Sequence, residues 1–156
     1  MIVVSDTSPI CYLLLTNRVE ILQALYTNVT IPQTVAGELG ASESPSVVKN
    51  WIAQPPKWLQ IQQTDISMGV ELGNLDPGER EAILLAEQQR ADLVILDDKA
   101  ARQIAIGRGL KVIGLLGILK DAARANLLDL KSSFEQLQQA GFWVAPELLE
   151  RLLKDN

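Results

Sequence analysis

Short, apolar, β-branched runs alternate along this chain with longer segments of helical period, and this alternation constrains the fold more than any other feature. Alternation of this kind is typical of βα units, in which parallel strands form one sheet and helices cover its faces. The sequence therefore predicts an α/β fold, a three-layer α/β/α sandwich around a parallel sheet of four to five strands. The predicted strands are residues 2–5, 28–31, 59–62, 93–96 and 112–113.

The length of the chain, without an internal repeat, low-complexity tract or interdomain linker, indicates one domain over residues 1–156, and proline and glycine positions suggest where its helices begin and end. Ser8 is the expected N-cap of the first helix, with Pro9 at its first position, and a second helix is expected to begin after Ile31 and Pro32. A short helix is predicted within the longer connection of residues 42–56, and another short helix is predicted over residues 64–74. Two C-terminal helices are expected from Asp129, the first ending at a glycine and the second beginning near a proline.

Composition excludes several kinds of catalytic site. The chain has no histidine, which removes the Ser-His-Asp triad, the Cys-His pair and imidazole-bearing zinc sites. Cys11 is the single cysteine, so no internal disulfide can form, as is typical of a reducing compartment. Any bound metal is therefore expected to take oxygen ligands. Aromatic residues make up 4% of the chain, which argues against a base-stacking sheet for single strands.

The overall charge does not by itself indicate a polyanionic partner. The formal net charge is −5, whereas phosphate backbones are normally bound by a basic face, although a local patch can override the sum. The apolar opening segment has no preceding basic region, and Asp6 and Pro9 interrupt it well short of a membrane span. These features predict a soluble, cytoplasmic protein with no membrane association.

Acidic residues follow two of the predicted strands. Asp6 closes the first strand, and Asp97 and Asp98 close the fourth. In an open parallel sheet ligands bind beyond the carboxyl ends of the strands, so these acids are expected to share a site. Each also has a purely structural alternative, because Asp98 can cap the following helix and Asp6 can organise its own turn.

Three glutamates extend the acidic set. Asp76 and Glu79 form a capping-box pattern at the start of a helix, which alone could account for Glu79. At 100° per residue Glu79 falls on the inward side of that helix and Glu81 falls on the outward side, so Glu79 is the one expected to face a buried site. Glu38 lies on a helix between Gly37 and Gly40, where an isolated glutamate is more often simply solvated.

A cluster of carboxylates implies a hard divalent cation. Carboxylate and water oxygens are the ligands that Mg²⁺ and Mn²⁺ prefer, and without a cation the acids would repel one another. A metal held in this way can lower the pKa of an attacking water and stabilise an in-line phosphoryl displacement. The sequence therefore predicts a Mg²⁺ or Mn²⁺ cofactor, and the metal explains how an acidic protein can act on a polyanion.

Four segments of the chain resemble the PIN-domain nucleases, in particular the small prokaryotic toxins of VapC type. They are IVVSDTSPICYLL, IPQTVAGEL, LDPGEREAILLAEQQRADLVILDDKAARQIAIGRGLKVIGLLGILKDA and GFWVAPELLERLL, of which the third is the most specific. The resemblance implies a metal-dependent ribonuclease with an α/β/α sandwich and an acidic pocket. It also implies a homodimer and inhibition by a small antitoxin protein.

The resemblance assigns roles to the acids. Asp6 takes the place of the first-strand acid and Glu38 that of the second. Glu79 falls where most members have an aspartate, and Glu81 is the alternative for that place. The fourth acid is Asp97 or Asp98. The predicted catalytic set is accordingly Asp6, Glu38, Glu79, Asp97 and Asp98, and the predicted metal ligands are Asp6, Glu79, Asp97 and Asp98.

Three further residues are predicted to bind substrate. Ser8 stands where relatives often place a small polar residue near the metal-bound water. Lys99 and Arg102 follow the paired aspartates, so on a helix they could present positive charge to a phosphate backbone. The alternative for these two cations is pairing with Asp98 or exposure to solvent.

The predicted function is a Mg²⁺- or Mn²⁺-dependent endoribonuclease that cleaves RNA by metal-activated water, with a toxin role in a toxin–antitoxin pair implied by the resemblance. One alternative is a catalytically inactive PIN-like interaction protein, whose acids serve as caps and for solubility. A less favoured alternative is a phosphoryl-accepting receiver module. Such a module needs an acid pair after the first strand, an acceptor aspartate at the third and a lysine at the end of the fifth, whereas this chain has Asp6, Gln62 and Lys111 near those places.

Overall fold

The computed structural model describes residues 1–67, 72 and 74–154. Within these residues, a parallel sheet of five strands has the order β3-β2-β1-β4-β5. The strands are β1 (Val3–Ser5), β2 (Val29–Pro32), β3 (Leu59–Gln62), β4 (Leu93–Ile95) and β5 (Val112–Ile113). Each predicted strand is confirmed, with ends that differ by one residue at most.

Helices follow each of the strands, as the alternation predicts. They are α1 (Thr7–Leu15), α2 (Glu20–Tyr26), α3 (Gln33–Leu39), α4 (Ser46–Ala53), α5 (Pro77–Gln88), α6 (Lys99–Gly107), α7 (Leu115–Arg124), α8 (Leu130–Gln139) and α9 (Pro146–Lys154). The short helix predicted over residues 64–74 lies partly outside the described residues, and positions 63–66 carry no helix. In the portions of chain that the structure describes, no helix has the length and apolarity needed to cross a bilayer.

Two hydrophobic cores, one on each face of the sheet, make the three layers. Val3 and Ile95 point to one face and pack against α1, α2, α7 and α8. Val4 and Val94 point to the other face and pack against α5 and α6. Neighbouring residues of one strand reach opposite cores because side chains alternate across a strand, so both faces must be covered. The predicted α/β/α sandwich is confirmed.

The start of α1 differs from the sequence prediction. The helix begins at Thr7 and its N-cap position is Asp6, so Ser8 and Pro9 are the second and third helical residues rather than the cap and first residue. The backbone of Asp6 is extended, and its N–H donates to the carbonyl of Ile95 at 3.1 Å. This hydrogen bond to the neighbouring strand β4 keeps Asp6 at the end of β1, and α1 starts directly after Asp6.

The strand order places the switch point of the sheet between β1 and β4. β1 lies between β2 and β4, with Ser5 opposite Ile95, so the acids that follow β1 and β4 share one edge. This is where open α/β sheets bind ligands. Receiver modules have the order 2-1-3-4-5, so the receiver alternative is wrong for this fold.

Candidate active site

A cavity of about 660 Å³ lies at the carboxyl ends of β1 and β4. The five predicted catalytic acids all line it, together with one acid that was predicted only as a helix cap. Among the residues that the structure describes, the acidic lining consists of Asp6, Glu38, Asp76, Glu79, Asp97 and Asp98. Side chains from distant parts of the sequence therefore meet in one place, which is hereafter called the acidic cavity.

Asp6 is the most buried acid of the cavity. Asp6 is 5% exposed, and its side chain makes no cap hydrogen bond to α1. The pKa of Asp6 is raised from 3.8 to about 7, chiefly by burial and also by the charges of Asp76, Glu79 and Glu38, against a lowering contribution from the backbone N–H of Thr7. A cation placed beside this buried carboxyl group would stabilise its ionised form.

Glu38 is brought to Asp6 through contacts with two small residues. The hydroxyl of Thr7 donates a hydrogen bond to Oε1 of Glu38. On the other side, the carboxylate of Glu38 occupies the space that a Cβ at Gly78 would need, and Oδ1 of Asp6 is 3.1 Å from that same point. The glycine therefore lets carboxylates from β1 and α3 converge at the first turn of α5.

Glu79 and Glu81 lie on different sides of α5, as the helical wheel predicts. Asp76 and Glu79 form the predicted capping box, with the Glu79 N–H 2.9 Å from Oδ1 of Asp76, yet Glu79 also lines the acidic cavity and is 9% exposed. Burial and the charge of Asp76 raise the pKa of Glu79. Glu81 instead accepts a hydrogen bond from Thr34 at 2.6 Å and lines a different cavity.

Asp97 and Asp98 both line the acidic cavity but have different partners. Oδ1 of Asp97 accepts from the backbone N–H of Leu115 at 2.7 Å, and its Oδ2 is buried with no hydrogen-bond partner among the described residues. Burial raises the pKa of Asp97, although the Leu115 N–H and the Arg102 charge lower it. Asp98 is exposed and caps α6, accepting from the Ala101 N–H at 3.0 Å. The structural alternative for Asp98 is thus confirmed alongside its place in the cavity.

The three predicted substrate-binding residues occupy different positions. Ser8 lines the acidic cavity. Arg102 lines an adjacent cavity of about 410 Å³ that also contains Asp97, and its guanidinium lies over Gly114, 2.8 Å from where a Cβ would stand. Lys99 is the exposed first residue of α6. The structure therefore brings Ser8 to the acids, places Arg102 one cavity away and leaves Lys99 at the surface.

Several residues of the cavity were missed by the sequence analysis. Thr7 was overlooked although it directly follows Asp6, which was a usable signal. Asp76 was recognised only as a cap. Tyr12 and Phe142 add aromatic surface to the lining, with ring centroids 5.1 Å apart in an edge-to-face arrangement. No sequence signal could place Phe142 there, because the contact depends on how the chain returns after α8.

The donor atoms of the acidic cavity fit a hard divalent cation. These atoms are carboxylate oxygens, which are the ligands that such cations prefer. The carboxylates of Asp6 and Glu38 converge beside Gly78, and Oδ2 of Asp97 has no hydrogen-bond partner within the described part of the chain. Across the described ranges, no three acidic or cysteine side chains are already gathered into a metal-binding group. The cavity therefore supplies suitable ligand atoms without a finished coordination shell.

The fold and the site together define an α/β/α protein with an acidic cavity at the switch point of its sheet. Residues 2–156 match the family DUF3368, a PIN domain, and the chain belongs to this family. PIN domains are generally nucleases and usually use divalent metal ions, which supports a nuclease role.

A solved structure similar to this chain is a PilT N-terminus domain protein, SSO1118, from the hyperthermophilic archaeon Sulfolobus solfataricus P2. It has 21% sequence identity and a TM-score of 0.56, over 86% of this chain and 95% of that one, and supports the fold. The curated proteins gave no match.

Proposed function

We propose that this protein is a Mg²⁺- or Mn²⁺-dependent endoribonuclease that hydrolyses phosphodiester bonds in the acidic cavity. The observation that carries the proposal is the convergence of Asp6 and Glu38 on Gly78, in a cavity that also contains Glu79 and Asp97. Burial of like charges costs free energy unless a cation or a proton offsets it. A site built in this way is suited to binding metal rather than to stabilising the fold.

Each acid has a distinct part in the proposed chemistry. Asp6, Glu79 and Asp97 would hold the metal, and Asp98 lines the same cavity as the cap of α6. When bound, the metal supplies a water of lowered pKa and neutralises charge on the phosphate oxygens. Glu38, oriented by the Thr7 hydroxyl, would accept a proton from the attacking water, since a general base must be held within hydrogen-bonding reach. Ser8 and Arg102 would contact the RNA backbone on either side.

The cleavage test uses purified protein and a generic single-stranded RNA. We expect cleavage with Mg²⁺ or Mn²⁺, none in excess EDTA, and none from Asp6→Asn, which keeps the shape of the side chain. Glu135→Gln on α8 is the matched control, because Glu135 is exposed and is not part of the cavity lining. Cleavage that persists in EDTA would exclude the metal mechanism, and its absence in all conditions would favour the inactive interaction protein.

The biological part of the proposal is a toxin role, with a small antitoxin as partner and a homodimer as the assembly. It rests on the resemblance of the sequence to VapC-type toxins. Induced expression of the wild-type chain in a bacterial host should arrest growth, and Asp6→Asn should relieve the arrest. Equal growth inhibition by both proteins would show that the effect does not depend on the acidic cavity.

A further inference from the structure

A second cavity, of about 520 Å³, lies at the same edge of the sheet as the acidic cavity. Gln33 directly follows β2 and Gln63 directly follows β3, so the cavity opens at the carboxyl ends of these two strands. The part of its lining that the structure describes is polar with one apolar exception. The residues that form it, hereafter the amide-lined cavity, are Gln33, Thr34, Gln63, Thr64, Ile66 and Glu81.

The two cavities are neighbours along the seam between α3 and α5. At one end of the seam Glu38 lies against Gly78, and at the other end Thr34 donates its hydroxyl to Glu81 at 2.6 Å. Thr34 and Glu38 are four residues apart on one helix, which corresponds to about 6 Å along the axis. A strand of RNA with a phosphate in the acidic cavity would therefore have its next groups within reach of the amide-lined cavity.

The chemistry of the amide-lined cavity favours a nucleobase over a phosphate. Its described lining has two amides, two hydroxyls and a carboxylate but no cation, so a phosphate would meet only the repulsive charge of Glu81. Amides and carboxylates are groups that read base edges, with glutamine pairing with adenine and carboxylates accepting from exocyclic amines. Ile66 is 62% exposed and offers an apolar surface to a base.

A buried hydroxyl of the cavity lining also favours a ligand with hydrogen-bonding groups. Oγ1 of Thr64 is buried, and in the residues that the structure describes it has no hydrogen-bond partner. Buried hydroxyls are nearly always paired, and Thr64 belongs to the cavity lining, so a bound base would supply the missing partner. Thr64 and Gln63 come from the segment after β3, and Glu81 faces them from α5, so donors and acceptors approach from both sides.

We propose that the amide-lined cavity binds an unpaired base of the RNA strand whose phosphodiester lies in the acidic cavity, and that it prefers an amine-bearing base, adenine or cytosine, over uracil. This inference rests on the proposed function, whose substrate it specifies. Sequence-specific RNA recognition targets unpaired bases, which present their hydrogen-bonding edges. Glu81 would accept from the exocyclic amine, and Gln63 would pair with the remaining edge.

Binding of labelled oligoadenylate, oligocytidylate and oligouridylate to the Glu38→Gln protein in Mg²⁺, followed by fluorescence anisotropy, tests the proposal without cleavage. This variant lacks the proposed base but retains the proposed metal ligands. We expect adenylate or cytidylate to bind at least about fivefold more tightly than uridylate. Adding Gln63→Ala and Glu81→Gln should reduce that preference to less than about twofold, whereas adding Glu135→Gln should leave it unchanged. Melting curves of each variant confirm that it is folded.

Two outcomes would overturn the subsite: equal binding of the three oligonucleotides, or a preference that survives the two substitutions. Cleavage by the wild-type chain is scored separately. If the wild-type chain cleaves RNA but the preference does not depend on Gln63 and Glu81, the subsite fails and the nuclease stands. If the preference depends on them but no metal supports cleavage, the nuclease fails and base binding stands.

Discussion

The carboxylate of Glu38 lies against the backbone of Gly78, in the space that a side chain at position 78 would fill. This contact joins the last turn of α3 to the first turn of α5, and Asp6 reaches the same point from the end of β1. Because Gly78 has no Cβ, three elements can bring their functional groups together at one place. The absence of a side chain at this position is thus a requirement of the acidic cavity.

Gly78→Ala should therefore impair catalysis while leaving the fold intact. The added Cβ displaces the Glu38 carboxylate, and a displacement of about 1 Å can cost about 10²-fold in rate. Alanine is favoured over glycine within a helix by about 0.5–1 kcal/mol, which offsets the local crowding, so we expect the Tm to stay within about 3 °C of wild type. RNA cleavage rates and thermal melting measure the two effects.

Gly37→Ala is the matched control for this substitution. Gly37 lies in α3 next to Glu38, and a Cβ at that position would have nothing within 4 Å. We expect this variant to cleave RNA at the wild-type rate and to be slightly stabilised, because alanine is the better helix former. Equal activity of the two alanine variants would show that the position of Glu38 against Gly78 does not matter for catalysis.

Local sequence signals were enough to predict the sheet and the acids that follow its strands. Apolar runs that end at Asp6 and Asp97 mark strand ends, and the capping box marks the start of α5 with Glu79 inward. Contacts between distant elements could not be predicted in this way. Thr7 and Glu38 are 31 residues apart, and their hydrogen bond depends on how α1 packs against α3. Side-chain periodicity within one element carries no information about such a contact.

The sequence also left open whether Asp97 or Asp98 is the fourth acid, and the structure gives a reason to choose Asp97. One oxygen of Asp97 is fixed by the Leu115 N–H while the other has no partner among the described residues, whereas the Asp98 carboxylate is used as a helix cap. We therefore expect Asp97→Asn to reduce RNA cleavage by at least about 100-fold, because a neutral amide is a poorer metal ligand.

Asp98→Asn serves as the comparison. Asparagine is as good an N-cap as aspartate, so α6 should keep its stability, and we expect cleavage to fall by less than about threefold. Manganese binding by titration calorimetry should be weakened by Asp97→Asn and nearly unchanged by Asp98→Asn. The opposite order of effects would assign the fourth position to Asp98.

Thr7 is predicted to position Glu38 for catalysis. Thr7→Val keeps the shape of the side chain but removes the hydroxyl that donates to Glu38, at a stability cost of about 1 kcal/mol. We expect the cleavage rate to fall about tenfold with little change in KM, since the substrate contacts are retained. Thr7→Ser should restore most of the rate, and a failure of serine to do so would show that the methyl group, not the hydroxyl, matters.

The pH dependence of stability in EDTA should report the burial of Asp6. The pKa of Asp6 is raised from 3.8 to about 7 in the folded protein, so folding retains a proton that the unfolded chain releases. The stability that Asp6 contributes is therefore greatest at low pH, falls as pH rises from 3.8 toward 7, and is fully lost above that value. Relative to Asp6→Asn, the wild-type protein should lose about 2 kcal/mol between about pH 5.5 and 7.5, or about 4–8 °C in Tm.

Differential scanning calorimetry of the two proteins across this pH range makes the comparison. Glu135→Gln is the control, and it should keep the wild-type pH dependence because the Glu135 side chain is exposed. Adding Mg²⁺ or Mn²⁺ at about pH 7.5 should raise the Tm of the wild-type protein and have little effect on Asp6→Asn, since a cation offsets the ionised carboxylates only where Asp6 helps to hold it. Parallel pH curves for wild type and Asp6→Asn in EDTA would mean that Asp6 ionises in the folded protein as it does in the unfolded chain.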